Sequence, residues 1–111
     1  MGVEVNRFDV CLVRLDPTIG NEIKKTRPAI VVSPDEINQH WSPLVIVPLT
    51  SKIREIDFRV KLVFQGIAGQ AAIDQIKAVD RKRIVKKLGS LSPRDANNLQ
   101  NGINLFFRKE G

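Results

Sequence analysis

The sequence predicts a mainly β fold with a C-terminal α-helix: a small, strongly bent β-barrel or sandwich of six or seven short strands. Three observations point there. Short apolar runs with β-branched residues, bounded by proline, serine or threonine, recur between Phe8 and Leu91. Phe58, Val60, Leu62 and Phe64 alternate with Arg59, Lys61 and Val63, the period-two pattern of a half-exposed strand. Helical spacing is sustained only after Ser92, so strands and helices do not alternate as they would around a parallel sheet.

Taken in order, Phe8, Val10 and Leu12 set the first strand, which ends at Asp16-Pro17. The polar segment from Pro17 to Thr26 has neither strand nor helix periodicity and reads as a loop too long for a tight hairpin, a length often associated with function. Ala29–Val32 and Leu44–Leu49 are central strands, joined by a connection with room for one helical turn. Residues 58–64 form a strand with one wet, partly basic face. The run 71–79 is strand-like but broken by Asp74, Gln75 and Lys77, and Ile84–Leu91 supplies a last strand after the basic turn 80–83. Ser92-Pro93-Arg94-Asp95 carries an N-cap hydroxyl, a proline at the first helical position and an acid in the first turn. Ala96, Leu99, Ile103, Phe106 and Phe107 then form one apolar stripe.

At 111 residues the chain fits a single domain, 1–111, and its 42% hydrophobic and 27% charged residues are ordinary for a globular protein. Eighteen Lys and Arg against twelve Asp and Glu leave a net charge of +6, which favours a polyanionic partner, nucleic acid foremost. Solubility alone would explain the excess equally well, so the placement of the charges must decide. The single cysteine, Cys11, lies in an apolar run and reads as a buried structural thiol. No secretory signal pattern and no membrane-length apolar run is visible, so a cytoplasmic protein is expected.

Most familiar chemistries lack their residues. One histidine and one cysteine give no metal-ligand set, so no metal or other cofactor is expected. His40 has no nucleophile elbow to serve, and no glycine-rich phosphate loop is present. An RNA substrate, however, brings its own nucleophile: the ribose 2′-hydroxyl can attack the adjacent phosphorus if the protein orients the chain and neutralises the transition state. A guanidinium, always charged and able to grip two phosphate oxygens, suits that task.

Four blocks occur in a telling order: DVCLVRLDPTIGNE at 9–22, RPAIVVS at 27–33, VIVPLTS at 45–51 and AIDQIKAVDRKRI at 72–84. Together they resemble the MazF/PemK toxins over nearly the whole chain. The resemblance implies an SH3-like bent β-barrel, a homodimer, metal-independent and sequence-selective cleavage of single-stranded RNA to 2′,3′-cyclic phosphate and 5′-hydroxyl ends, and neutralisation by a cognate antitoxin.

It also implies that Arg27, Thr50 and Ser51 are catalytic. On residue type alone, Arg27 fits a surface ion pair as well as a phosphate site, and Thr50-Ser51 fits a strand-ending turn. The same resemblance places Asp74 and Gln75 along the RNA groove, Gln75 reading a base edge and Asp74 holding a neighbouring group; a purely structural role fits Asp74 nearly as well. Asn21, Glu22, Lys24, Lys25 and Lys52 complete the expected RNA-binding set, with Arg54 adding charge nearby. Lys77, Arg81, Lys82, Arg83, Lys86 and Lys87 read mostly as solvated charge, and Trp41 as partly buried.

Two positions depart from the pattern. Some relatives carry histidine where this chain has Asn21, and arginine where it has Ala72. Asn21 cannot transfer a proton near neutral pH, which leaves the general base unassigned and keeps open a non-catalytic nucleic-acid-binding barrel.

Overall fold

The computed structural model describes residues 3–15, 26–41, 43–56 and 58–110. Among the described residues seven strands appear in the order β1 (Asp9–Arg14), β2 (Thr26–Val31), β3 (Leu44–Thr50), β4 (Arg59–Phe64), β5 (Ile67–Ala72), β6 (Lys77–Val79) and β7 (Ile84–Ser90). Helix α1 (Asp35–His40) lies between β2 and β3, and α2 (Pro93–Phe106) closes the chain. All pairings are antiparallel, in the sheet order β4-β5-β3-β2-β1-β7 with β6 beside β3.

The sheet bends towards a barrel without closing. No ladder joins β4 to β7 among the described residues, but Gln65 Nε2 donates to the Leu88 carbonyl at 3.0 Å. Phe64 packs so near Gly89 that a Cβ there would lie 3.0 Å from its ring. Side chains thus bridge the gap that backbone pairing leaves.

The continuous apolar runs of β2 and β3 follow from burial on both faces. Ala29, Val31, Leu44 and Ile46 enter one core with Cys11 and Val13, whereas Ile30, Val47, Leu62, Ile73 and Leu99 enter the other. A one-residue slip of either strand would exchange the two sets of side chains, so the register is strongly specified.

Proline in a central strand needs an interruption, because it has no N–H to donate. Pro48 has one: β6 pairs with residues 44–46 of β3 and β5 with residues 49–50, leaving the interval at Val47 and Pro48. The chain crosses that interval in a 3-10 turn, Ile73–Gln75.

This corrects the expectation of one strand-like run over 71–79. Ala71, Ala72 and Ile73 are buried in succession, and the run is the end of β5, the turn and β6. Asp74 and Gln75 accordingly lie on an exposed turn and not inside a strand.

Helix α2 starts as its sequence predicts, with the Ser92 hydroxyl accepting from the Asp95 N–H at 3.1 Å. Leu99 is fully buried, with Ala96, Ile103 and Phe106 packed on the same core. Gly102 lets the helix settle close: a Cβ there would stand 2.8 Å from both Ile73 Cδ1 and Val60 Cγ2. Phe106 meets Phe58 edge to face at 5.1 Å, but Phe107 is exposed, so the stripe ends one residue early. Trp41 is 63% exposed, contrary to the partial burial expected of it. Cys11 is wholly buried, and burial pushes its thiol pKa up to about 11.

Candidate active site

The registers of β3 bring the expected catalytic residues together. In the β2–β3 ladder Val31 pairs with Ile46, Ile30 with Val47 and Ala29 with Pro48. Carried two residues past its last pair, this register sets Arg27 opposite Thr50. On the other side of β3, Thr50 pairs with Gln70 of β5.

An open groove of about 690 Å³ runs past this junction, lined by Arg27, Pro48, Thr50, Lys52, Arg54, Arg59, Gln75 and Lys77 among others. Five of its lining residues are cationic, and no described lining residue is an acid. Such a wall concentrates positive potential where a phosphate chain could lie.

Arg27 is exposed, and its guanidinium makes no ion pair or hydrogen bond with any described residue. The ion-pair role that residue type allowed is therefore not observed among those residues. Thr50 Oγ1 accepts the Lys52 N–H at 3.1 Å, which fixes the hydroxyl oxygen and leaves its proton to donate. Ser51 does not line this groove. It faces an adjoining cavity of about 480 Å³, which Arg27 and Thr50 also border and which Phe64, Ile67 and Leu88 make more apolar.

Asp74, expected along the groove, is not among its lining residues; it pairs instead with Arg59. The guanidinium donates from Nε to one carboxylate oxygen at 2.6 Å and from a terminal nitrogen to the other at 3.1 Å. The β4–β5 register sets this up by pairing Arg59 with Ala72, two residues before Asp74. Hydrogen bonding by Arg59 holds the Asp74 carboxyl below the usual carboxylate range, outweighing partial desolvation, and raises the Arg59 pKa in turn.

Lys52, Arg54 and Gln75 line the groove as expected. Asn21, Glu22, Lys24 and Lys25 lie outside the described residues. Arg59 and Lys77 were missed: alternation assigned Arg59 only to the wet face of β4, and Lys77 was grouped with solvated charge. The acid at Asp74 signalled a need for a counter-charge, but only the strand register identifies which cation supplies it.

Other basic residues have structural duties. Arg81 donates to the carbonyls of Asn38 and Trp41 behind α1, and Lys87 meets Asp9 at 3.2 Å. His40 sits exposed at the end of α1 and does not line the groove. Among the described residues no cluster of three or more His, Cys, Asp or Glu could hold a metal ion. No described helix is long and apolar enough to cross a membrane.

Comparison with known proteins agrees with this architecture. The family model described as PemK-like, MazF-like toxin of type II toxin-antitoxin system matches residues 6–107. The chain is 34% identical over 100 residues to the endoribonuclease toxin MazF of Escherichia coli K12, covering 89% of this chain and 90% of that protein. It is 37% identical over 84 residues to the Escherichia coli endoribonuclease PemK, covering 71% of this chain and 63% of PemK. Among solved structures, Deinococcus radiodurans MazF superposes with a TM-score of 0.78 at 21% identity, covering 95% and 97% of the two chains. A MazE-MazF structure from the same organism gives a TM-score of 0.80 at 20% identity, covering 96% and 99%. At these identities the structural likeness speaks for the fold, and the sequence matches for the family. The chain belongs to the PemK-like, MazF-like toxins of type II toxin-antitoxin systems.

Proposed function

We propose that this toxin is an endoribonuclease that cuts single-stranded RNA without a metal ion, selectively by sequence, and is neutralised by a cognate antitoxin. In this reading it acts as a cytoplasmic homodimer. The observation that carries the cleavage chemistry is the junction of Arg27 and Thr50 at the edge of a groove with five cations and no described acid in its wall.

The 2′-oxygen of one ribose bonds to the adjacent phosphorus as the P–O5′ bond breaks; the proton leaving the 2′-hydroxyl passes to water, and water returns one to O5′, giving a 2′,3′-cyclic phosphate and a 5′-hydroxyl. Arg27, with no described partner, offers its guanidinium to the phosphorane oxygens, whose charge grows in the transition state. Thr50, its oxygen anchored by the Lys52 N–H, donates a hydrogen bond to a phosphate oxygen. Ser51 borders the adjoining cavity and acts there on a flanking nucleotide. Lys52, Arg54 and Lys77 neutralise neighbouring phosphates, and Gln75 offers its amide to a base edge. Asn21, Glu22, Lys24 and Lys25 are assigned to RNA binding as well. Arg59 stands across the ladder from Ala72, where some relatives carry arginine, with its charge balanced by a carboxylate. Its carboxylate partner, Asp74, holds it in place.

The test is to incubate the purified protein with a long single-stranded RNA in excess chelator, beside Arg27→Ala and Thr50→Ala. Discrete cuts ending in cyclic phosphate, lost in both variants, are expected. Binding without cleavage would instead identify a non-catalytic nucleic-acid-binding barrel.

A further inference from the structure

Gln70 is the largest buried polar side chain of the sheet, 1% exposed in the middle of β5. A buried carboxamide is costly unless both of its ends are hydrogen-bonded. Here both bonds go to a single residue: the Arg54 N–H donates to Gln70 Oε1 at 2.9 Å, and Gln70 Nε2 donates to the Arg54 carbonyl at 2.9 Å. This two-way exchange is what a neighbouring strand offers in an antiparallel ladder, made by a side chain.

The segment it grips needs such an anchor. Residues 51–56 follow β3 without strand or helix pairing, and the large apolar residues Ile53 and Ile56 are exposed, so core packing does not hold them. The same segment carries Lys52 and Arg54 into the groove. Its first end is fixed at Thr50, which is the ladder partner of Gln70.

We propose that Gln70 is a positioning residue: its amide clamps the Arg54 backbone and so aims Lys52 and Arg54 at the RNA phosphates. The inference rests on the groove being the RNA site, and it assigns Gln70 no contact with RNA. Removing the clamp frees both cationic side chains from their fixed geometry, while Arg27 and Thr50 stay on their strands and the Thr50 hydroxyl keeps its local bond from the Lys52 N–H. The loss should therefore fall on affinity and its salt dependence more than on turnover.

The experiment compares wild type, Gln70→Leu and Gln70→Glu, each also in a Lys52→Ala/Arg54→Ala background. It measures kcat, KM and the dependence of RNA binding on salt, with melting temperature as a check on folding. Each phosphate contact on a single strand contributes about 0.7 to the log–log salt slope. Loss of two contacts lowers the slope by about 1.4 and weakens binding by up to about 25-fold at 0.1 M salt. Gln70→Leu should approach that limit with kcat within about threefold of wild type, an allowance set by the intact Arg27–Thr50 geometry. Gln70→Glu keeps the volume and the bond from the Arg54 N–H, but when ionised it sets a carboxylate oxygen against the Arg54 carbonyl. It should lose binding too, and less at acid pH, where the protonated carboxyl can donate to that carbonyl. In the background lacking Lys52 and Arg54 neither substitution should weaken binding further.

A wild-type slope in folded Gln70→Leu, a loss confined to kcat, or an equal further loss in the double-variant background would overturn the role of Gln70. If Gln70→Leu does not fold, Gln70→Glu decides by the same three measures. Wild-type protein that neither binds nor cuts RNA would overturn the reading of the groove itself.

Discussion

Gly69 offers a direct test of how closely the position of Thr50 governs the reaction. A Cβ built on Gly69 would lie 2.8 Å from the Thr50 carbonyl oxygen, whereas ordinary contacts begin at 3.4 Å, so Gly69→Ala must move the two strands apart by about 0.6 Å. The obstacle is backbone and cannot rotate away. A misplacement of about 1 Å can cost about 100-fold in rate, so a shift of about 0.6 Å should lower kcat by about tenfold. KM should change less than kcat, because Gln70 moves with Gly69 but keeps its two bonds to Arg54. Stability should fall by about 1 kcal/mol, a steric cost of roughly 1 to 3 kcal/mol offset by reduced freedom of the unfolded chain. Gly66→Ala is the control: its φ of +78° makes alanine strained, yet nothing lies within 4 Å of the added Cβ. It should lower stability by a similar amount and leave kcat unchanged. Cleavage of a short fluorogenic RNA, assayed well below both melting temperatures, separates the two. Equal kcat in Gly69→Ala and wild type would refute the claim that the Thr50 backbone sets the rate.

Three further outcomes follow from the charges and the buried thiol. With Arg59 held by Asp74, four described groove cations remain for phosphates and contribute about −2.8 to the RNA-binding salt slope, a loss of about 50-fold from 50 to 200 mM salt, to which Lys24 and Lys25 add. Lys77→Ala should make that slope shallower by about 0.7, and no change in a filter-binding titration would remove Lys77 from the site. The folded-state pKa of Asp74 is depressed, so its stabilisation is present above the unfolded value of about 4 and lost as pH falls through the folded value. The melting temperature of wild type should accordingly drop more between pH 5 and pH 3 than that of Asp74→Asn; parallel curves would mean that the pair contributes nothing. With its pKa near 11, only about one Cys11 thiol in a thousand is ionised at pH 8, and the side chain is buried. Iodoacetamide should modify it only after denaturation, and rapid labelling of the folded protein would contradict that burial.

Legibility in the sequence tracked how locally each feature is encoded. The N-cap of α2 and the alternation of β4 are short-range patterns, and both appear where the sequence places them. The start of β5 was hidden because Ile67-Ala68-Gly69-Gln70 has one β-branched residue and a glycine that serves close approach to Thr50. The break between β5 and β6 was hidden for a different reason. Ala71, Ala72 and Ile73 are all buried, so the run looks continuous although the strand ends inside it. At the groove, Arg27, Thr50 and Gln75 were legible through a motif pattern, and Lys52 and Arg54 through their nearness to Thr50. Arg59, Lys77 and Gln70 were not, since each acquires its role from a partner brought near only by strand pairing.

That difference has a physical source in β3. Ile46 feeds one core and Val47 the other, so the strand is held against slippage from both faces. Arg27 on β2 and Gln70 on β5 are positioned by registers counted from this same strand, and Thr50 stands at its end between them. The site therefore inherits its precision from hydrophobic residues that never touch the groove. Pro48 adds the last element: by interrupting the pairing on one side of β3 it makes room for the turn that carries Asp74 and Gln75. A groove can then form on an otherwise fully paired strand. The side chains that would meet RNA come from four separate strands and the segments next to them, and the packing of β3 is what gives them one geometry.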